Sequence, residues 1–250
     1  MTDIILNGCN GKMGAAVTKA VSERNDCRIV AGVDLYGDNI NYKVFRSFSE
    51  VDIKADVIID FSNPSVLDSM LSYAKDNRTP MIICTTGFSD TQVEQIKEAS
   101  KNVAIFYSGN MSLGINLIIE LSKKAAAVFS NNFDVEIIEK HHNQKIDAPS
   151  GTALMIADAI ADVLPDSQYV YDRHSYRQKR SKNEIGIHAV RGGTIVGEHE
   201  VIFAGHDEIL SLKHQALSKD VFAVGAVNAA VYLKDKQSGM YDMGDLLSET

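Results

Sequence analysis

The sequence predicts an α/β protein in which a doubly wound parallel sheet is joined to a second, α+β domain with a mixed or antiparallel sheet. In the first 111 residues, short apolar runs alternate with helical segments of about ten residues, as expected for parallel βαβ units. From residue 112 onward, several strand-like runs follow one another with one helix between them, which favours antiparallel or mixed pairing. A chain of 250 residues is long enough for two modest domains.

The parallel sheet is predicted from five apolar runs in the first domain. One of them, Val57–Asp60, is rich in β-branched residues and is typical of a strand buried on both faces. Pro64 suits the first turn of a helix and Ser89 or Asp90 suits an N-cap, so helices are expected at both places. The predicted strands span residues 4–7, 28–33, 57–60, 81–84 and 103–106. The predicted helices span residues 15–24, 63–76 and 90–100.

The second domain is predicted over residues 112–219. An apolar helix over 113–129 opens it, another helix follows Ser150, and Arg191–Thr194 has the composition of a tight hairpin link. The predicted strands span residues 134–139, 184–191, 194–203 and 208–213. Residues 220–236 return to a helical pattern that we expect to pack on the first domain, so that 220–250 completes the domain formed by 1–111.

The charge balance and the cysteines limit the class of protein. Lys and Arg number 25 and Asp and Glu number 33, which gives a net charge of −8 and argues against nucleic-acid binding. The three cysteines form no CxxC pair, which fits a reducing compartment. No signal-peptide pattern and no apolar run of about 18 residues is present, so we expect a cytoplasmic protein that makes no use of a membrane.

A glycine-rich turn between the first strand and the first helix predicts a dinucleotide site. Gly8, Gly11 and Gly14 allow a tight turn and a close approach of the backbone to a pyrophosphate at a helix N-terminus, as in Rossmann-like sheets. Asp34 lies 20 residues beyond Gly14 (34 − 14), at the end of the second strand, where an acid binds the adenosine ribose. A glycine-rich turn without a ligand is the alternative. The expected cofactor contacts here are Gly8, Cys9, Asn10, Gly11, Lys12, Met13 and Asp34.

The same acid bears on the choice between NADH and NADPH. A carboxylate beside the ribose repels a 2′-phosphate, and the next residues, Leu35 and Tyr36, offer no cation. We therefore expect NADH to be favoured. Lys12 is a nearby cation that leaves NADPH open as a second donor.

Two further loops follow strands of the parallel sheet and are expected to line the nicotinamide end of the cofactor, because ligands bind at the carboxyl edge of such sheets. They supply Cys84, Thr85 and Thr86 after one strand and Ser108, Gly109, Asn110 and Met111 after the next. Cys84 has no base beside it in sequence, so we interpret it as a small buried thiol rather than a nucleophile.

Polar and ionisable residues are densest between Glu139 and Ala153, between a strand and a helix. Histidine readily gives and takes protons near neutral pH, so His141 and His142 are candidates for acid–base work. Lys145 can bind a carboxylate or donate a proton, and Ser150 suits an N-cap that exposes the amides of Gly151 and Thr152 to a carboxylate. No third ligand at a suitable spacing completes a metal site, so none is expected. His199 is interpreted as a satisfied histidine of a sheet.

These residues resemble those of the dihydrodipicolinate reductases, also called 4-hydroxy-tetrahydrodipicolinate reductases, of the diaminopimelate route to lysine. The most specific match is HHxxKxDAPSGTA over residues 141–153. The other matches are the opening GxxGxMG, Asp60–Ser62 with Pro64, Thr85–Gly87, Asn110–Ser112, Glu139, Arg191–Gly193, Gly197–His199 and Tyr241–Met243. Two residues depart from the family: Cys84 replaces a glycine and Lys219 replaces an arginine, which exchanges a bidentate fork for a point charge.

The resemblance implies a two-domain, usually homotetrameric oxidoreductase that reduces a small cyclic dicarboxylate with NADH or NADPH. It implies that His141 is the proton donor and acceptor, that Lys145 is its partner, and that His142, Gly151 and Thr152 bind substrate. Residues 1–111 with 220–250 would then bind the dinucleotide, and 112–219 would bind substrate and form the oligomer. Two other functions remain open on the residues alone: a non-catalytic dinucleotide sensor, and a Rossmann-type oxidoreductase acting on another small carboxylate.

Overall fold

The structure is a computed structural model that describes residues 1–37, 41–175 and 177–249. It divides into two compact units, one formed by Met1–Ser112 with Asp220–Thr250 and the other by Leu113–Lys219. In the described residues, the strands are β1 (Thr2–Asn7), β2 (Cys27–Val33), β3 (Lys43–Phe45), β4 (Val57–Asp60), β5 (Met81–Ile83), β6 (Ala104–Tyr107), β7 (Asp134–His141), β8 (Gln168–Val170), β9 (Glu184–Arg191), β10 (Gly197–Ala204), β11 (Ile209–Ala216) and β12 (Gly239–Tyr241). The helices are α1 (Lys12–Ser22), α2 (Leu67–Asn77), α3 (Asp90–Ser100), α4 (Leu113–Phe129), α5 (Gly151–Ala161), α6 (Asp220–Leu233) and α7 (Met243–Ser248).

The first unit is built on a seven-stranded parallel sheet with the order β12-β6-β5-β4-β1-β2-β3. The order reverses between β1 and β4, which is the point where open α/β sheets bind ligands. Alternate side chains face opposite layers: Ile5 and Ile58 join a core with α2 and α3, whereas Phe106 packs edge-on against Tyr232 of α6. The predicted doubly wound parallel sheet is thereby confirmed.

The differences in this unit are confined to short segments. The three-residue strands β3 and β12 were not predicted, because a run of three residues is too short to show periodicity. The helix expected from residue 63 begins instead as a single 3-10 turn, Pro64–Val66, which passes into α2 at Leu67. Helix α6 packs against α1 within this unit.

The second unit contains a five-stranded mixed sheet with the order β11-β10-β7-β9-β8. Strand β7 is antiparallel to β10 and parallel to β9, and α4 and α5 cover an apolar core on the sheet. The mixed sheet confirms the predicted fold class. The predicted tight hairpin over Arg191–Thr194 is wrong, because β7 lies between β9 and β10, so the link must cross two strand spacings, or roughly 10 Å.

Taken over the residues that the structure describes, none of these helices has the length and apolar character needed to cross a bilayer.

Candidate functional site

The glycine-rich turn forms a backbone cradle at the carboxyl edge of the parallel sheet. Gly8 has a φ of +76°, and a Cβ there would come within 2.4 Å of the Phe61 carbonyl oxygen. A Cβ on Gly14 would come equally close, 2.4 Å, to the carbonyl oxygens of Gly8 and Cys9. Gly11, the N-cap residue of α1, makes no side-chain hydrogen bond to the first turn. The fold therefore requires glycine here and offers the N-terminal amides of α1 to an anion.

Asp34 directly follows β2 and is joined to this turn. Its Oδ2 accepts a hydrogen bond from the Asn10 N–H at 3.0 Å, and its Oδ1 accepts one from the Tyr36 N–H at 3.0 Å. The Asn10 side chain in turn donates to the Tyr36 carbonyl at 2.5 Å. The structure thus brings the turn and the acid together, as a ribose-binding role requires.

The side chains of the remaining residues of the turn differ in their exposure to solvent. Lys12 is exposed and Met13 is half-buried at the start of α1. Cys9 is buried, and burial raises the pKa of its thiol to about 11. Its sulfur packs against Gly32, where a Cβ would lie 2.6 Å away, so only the backbone of Cys9 can contact a ligand.

A cavity of about 530 Å³ opens beside the turn, within the size range of small-molecule sites. Arg46 also lines it, and the sequence does not single this residue out, because Arg46 lies well beyond both Asp34 and Lys12 along the chain. Arg46 follows the unpredicted strand β3, and its Nη1 donates to the Leu35 carbonyl at 2.8 Å. The walls of the cavity include Gly8, Gly11, Asp34, Arg46, Phe48 and Ser62.

The ends of β1, β4 and β5 are connected by a buried polar network. Asn7 donates through Nδ2 to Oδ1 of the buried Asp60 at 2.8 Å, and the Ser62 hydroxyl donates to the same oxygen. The Ser62 N–H donates to Thr85 Oγ1 at 2.9 Å. Burial raises the pKa of Asp60. This network holds the predicted Cys84–Thr86 loop against the end of β4.

The two loops expected at the nicotinamide end follow neighbouring strands, because β5 pairs with β6 and Ile83 lies opposite Tyr107 where the two strands end. Burial and the Asp60 carboxylate raise the pKa of the Cys84 thiol, which leaves it un-ionised at neutral pH and unsuited to nucleophilic attack. In the second loop, Asn110 is buried and its Oδ1 accepts from the Ser112 N–H at 2.8 Å. Ser108 donates to the Asn110 carbonyl at 3.2 Å, and Met111 is buried.

In the second unit, His141 is held by a carboxylate that sequence reasoning left without a role. Glu139 lies on β7 and is 0% exposed. His141 Nδ1 lies 2.6 Å from Glu139 Oε2, and Arg191 donates through Nη1 to Oε2 at 2.8 Å and through Nη2 to Oε1 at 2.7 Å. The Ser150 N–H donates to Oε1 at 3.0 Å. The carboxylate therefore receives four hydrogen bonds.

These contacts favour the ionised form of Glu139 and determine the tautomer of His141. Burial opposes the ionisation of Glu139, but the hydrogen bonds from Arg191, His141 and the Ser150 N–H outweigh it and lower its pKa. An ionised carboxylate only accepts, so we assign the ring hydrogen to Nδ1 of neutral His141, which leaves Nε2 for a transferable proton. Gly197 lies beside Nε2, and a Cβ there would approach it to 3.1 Å.

His199 on β10 packs against the same ring. Its centroid lies 5.3 Å from that of His141 at an interplanar angle of 73°, and its Nε2 is 3.1 Å from Ser150 Oγ. The side chain is 4% exposed; burial, with the nearby His141 adding to it, lowers its pKa to about 4, so it is neutral. Within the described residues its Nδ1 has no partner, so the expectation of a fully satisfied sheet histidine is only half met.

The remaining predicted residues lie between β7 and the first turn of α5. Lys145 Nζ is 2.8 Å from Asp147 Oδ1, a contact that lowers the Asp147 pKa, and the Lys145 N–H donates to the His142 carbonyl at 3.1 Å. Ser150 caps α5 as predicted, with its Oγ accepting from the Ala153 N–H at 3.2 Å. Gly151, the first residue of α5, is exposed, and a Cβ there would meet no atom within 4 Å. Thr152 and His142 are half-buried.

Comparison with known proteins gives a consistent result over the whole chain. The family model described as dihydrodipicolinate reductase, N-terminus, matches residues 2–111, and that of the C-terminus matches residues 114–247. The chain is 51% identical over 248 residues to the 4-hydroxy-tetrahydrodipicolinate reductase of Clostridium novyi, covering 99% of this chain and 98% of that protein. It is 50% identical over 250 residues to the enzyme of the same name from Clostridium tetani, covering 99% and 98%.

Solved structures agree with the family match. A dipicolinate-bound dihydrodipicolinate reductase from Paenisporosarcina sp. TG-14 superposes with a TM-score of 0.81 at 28% identity, covering 97% of each chain. A myo-inositol dehydrogenase from Corynebacterium glutamicum, at 17% identity and a TM-score of 0.57 over 99% of this chain and 93% of that one, shares the fold alone. The family and the Rossmann-like sheet both support a nicotinamide cofactor. The chain is an oxidoreductase that belongs to the dihydrodipicolinate reductase family.

Proposed function

We propose that this protein reduces 4-hydroxy-tetrahydrodipicolinate to tetrahydrodipicolinate with NADH or NADPH, in the diaminopimelate route to lysine. The net change adds a hydride and a proton to the substrate and removes its hydroxyl as water. The names of the full-length relatives at about half identity support the reaction, and the dipicolinate bound by the Paenisporosarcina protein supports a cyclic dicarboxylate as substrate. By the same resemblance, we propose a homotetramer in the cytoplasm.

In this proposal, residues 1–111 with 220–250 bind the dinucleotide. The cradle at Gly8 and Gly14 fits a pyrophosphate, because the backbone approach there leaves no room for a Cβ. Asp34 binds the adenosine ribose, which supports NADH as the preferred donor. When bound, the nicotinamide supplies the hydride. Near it we place Cys84, Thr85, Thr86 and Ser108–Met111.

Residues 112–219 form the substrate-binding and oligomerisation domain. A dianion bound to a chain of net charge −8 needs cations and amides close to it. Lys145 and the N-terminal amides of α5 at Gly151 and Thr152 supply them, with His142 as a further contact. Lys145 exchanges its ion pair with Asp147, 2.8 Å away, for a substrate carboxylate.

His141 supplies the proton. The observation that carries this role is its hydrogen bond to Glu139, because it turns Nε2 toward the space that Gly197 leaves open. Arg191 keeps Glu139 ionised, so the carboxylate also stabilises the imidazolium that forms when a proton is taken up. Lys145 assists as the second proton donor.

The test is His141→Gln, with turnover and nucleotide binding measured separately. We expect kcat to fall about 100-fold or more, the usual worth of a general acid, with nucleotide affinity within about twofold of the wild type. His188→Gln is the matched control, because His188 pairs with Glu136 on the same sheet and is half-exposed. Unchanged turnover in His141→Gln would remove this residue from the mechanism.

The same assay separates the other two functions. A dinucleotide sensor would bind NADH without consuming it when the dicarboxylate is supplied. An oxidoreductase for another carboxylate would consume NADH with a different member of a substrate panel. The reductase proposal requires consumption with the cyclic dicarboxylate.

A further inference from the structure

We propose that His199 is a positioning residue for the dicarboxylate, because it fixes Ser150, and with it the first turn of α5, relative to His141. The inference rests on the proposed function only in taking the N-terminal amides of α5 as the site of a substrate carboxylate. His199 lies on β10 and Ser150 is the N-cap of α5, and both side chains are buried. His199 therefore acts through the residues that it holds.

Two neighbouring strands hold Ser150. In the antiparallel pair of β7 and β10, His199 lies directly opposite Glu139, so the two side chains share one face of the sheet. Glu139 accepts from the Ser150 N–H at 3.0 Å, and His199 Nε2 lies 3.1 Å from the Ser150 hydroxyl oxygen. The backbone of Ser150 is therefore held by β7 and its side chain by β10. Without His199, one of these two contacts with the sheet would be lost.

The contacts return to the proposed proton donor and form a closed ring. Glu139 Oε2 lies 2.6 Å from His141 Nδ1, and the imidazole of His141 packs edge-on against that of His199, with the centroids 5.3 Å apart. The ring of contacts runs through His141, Glu139, Ser150 and His199. A closed ring allows less relative movement than an open chain, so the proton donor and the start of α5 keep one spacing.

The protonation state of His199 suits this role. Burial, with the nearby His141 adding to it, lowers its pKa to about 4, so the ring is neutral and one of its nitrogens can accept a hydrogen bond. The Ser150 oxygen accepts from the Ala153 N–H at 3.2 Å, which leaves the single hydroxyl hydrogen for His199 Nε2. This hydrogen bond orients the hydroxyl so that its oxygen caps the first turn of α5.

The experiment measures, by titration calorimetry, binding of NADH and then of dipicolinate to the NADH-loaded protein. The variants are His199→Phe, which keeps an aromatic ring but accepts no hydrogen from Ser150, and His199→Gln, which can accept one. We expect His199→Phe to weaken dipicolinate about 10-fold, as for the loss of one buried hydrogen bond, and NADH less than about twofold. His199→Gln should bind dipicolinate to within about threefold of the wild type.

His214→Phe is the matched control for the loss of a histidine from this sheet. His214 lies directly opposite His199 in the pair of β10 and β11 and is half-buried, but its ring packs against Gly114 of α4. The control should lower the melting temperature and leave dipicolinate binding unchanged. In turnover, His199→Phe should raise the KM for the dicarboxylate and leave the KM for NADH within about twofold, a split that a general loss of stability would not produce.

A double-mutant cycle tests whether His199 acts through the hydroxyl of Ser150. Ser150→Ala removes the hydroxyl and should weaken dipicolinate by at least the same factor as His199→Phe. Adding His199→Phe to Ser150→Ala should weaken it by less than about twofold more, because the contact has already been lost.

Four results would overturn the proposal: unchanged dipicolinate binding in His199→Phe, equal weakening in His214→Phe, no recovery in His199→Gln, or additive losses in the double variant. If His199→Phe does not fold, His199→Gln and Ser150→Ala still carry the test, since the first must retain dipicolinate binding and the second must lose it. A wrong reductase assignment would appear separately, as dipicolinate binding by a wild type that consumes no NADH. A wild type that does not bind dipicolinate would refute the carboxylate site and this proposal together.

Discussion

Replacing Glu139 with glutamine tests the geometry of the proposed acid–base site most directly. The variant keeps the shape of the side chain but removes its charge. The groups around this side chain are all hydrogen-bond donors, namely Arg191, the Ser150 N–H and His141 Nδ1, so the new amide nitrogen of glutamine must face one of them without an acceptor. Arg191, whose side chain is 19% exposed, then loses its counter-charge. Breaking a buried pair on one side costs about 3–5 kcal/mol, so we expect a melting temperature lower by about 10 °C.

The effect on turnover should exceed the effect on folding. Without an ionised acceptor, His141 loses the hydrogen bond that fixes its ring and its tautomer. At temperatures below the melting transition, where the variant is folded, we therefore expect kcat to fall about 100-fold or more. Glu136→Gln is the matched control, because Glu136 lies on the same strand and pairs with Arg180 and His188 away from His141. It should lose stability and keep its turnover.

Glu139→Gln should also change how the stability of the protein depends on pH. The pKa of Glu139 is lower in the fold than its ordinary value of 4.5, so the unfolded chain takes up that proton first as the pH falls. The stability that Glu139 provides is therefore complete above that value and is lost below it, and Glu139→Gln should remove this loss from a series of urea melts. The reasoning would be refuted if Glu139→Gln and Glu136→Gln showed the same kcat at a temperature where both are folded.

Two further predictions concern the cradle and the buried histidine. Gly8→Ala should lower the free energy of unfolding, measured by urea melts, by about 3 kcal/mol and abolish nucleotide binding, because the new Cβ would meet the Phe61 carbonyl at 2.4 Å. Gly87→Ala is the control: Gly87 has a similar φ of +83°, but a Cβ there would have no atom within 4 Å, so the same melts should show a loss of only about 1 kcal/mol. His199, with its pKa lowered to about 4, stays neutral in the fold while the unfolded chain protonates near pH 6.5, so lowering the pH from 7 to 5 should cost about 2 kcal/mol through this residue. His199→Gln should show a smaller loss over that range, and an equal loss would contradict the assignment.

The parts of the fold that sequence predicted well are those with strong local signals. The limits of α3 were predicted at both ends, and its N-cap, Ser89, forms a capping box with Gln92 in the structure. The helix α4 and the strands β4 and β9 also have the predicted limits, since each is a long or dense apolar run. Local periodicity determines such elements almost alone.

The hairpin error shows what local signals do not contain. The sequence of Arg191–Gly193 and the residue after it allows a tight turn, yet the strands on either side of it pair with β7 rather than with each other. Pairing partners depend on which strands bury the same apolar face, and that is settled between residues distant in sequence. The residues within the link therefore do not show which strands pair with each other.

The site was predicted in the same uneven way. Gly8, Asp34, His141 and Lys145 could be named as candidates because glycine spacing and clustered ionisable residues are visible in the sequence. His199 received a structural interpretation only, since a lone histidine in an alternating strand is usually part of the sheet. Ser150 and His199 are 49 residues apart in sequence, so no local sequence pattern indicates that their side chains are in contact.

Both arginines that sequence reasoning left without a role arise from one physical cause. Arg46 comes to lie beside Asp34 through the parallel register of β2 and β3, and Arg191 meets Glu139 through that of β7 and β9, in which His141 lies opposite Arg191. Strand pairing fixes the position of a side chain more firmly than a loop does, so a cation carried at a strand end can serve a carboxylate 52 residues away. On a chain of net charge −8, strand register thus places a cation beside one particular carboxylate, which the overall charge of the protein cannot do.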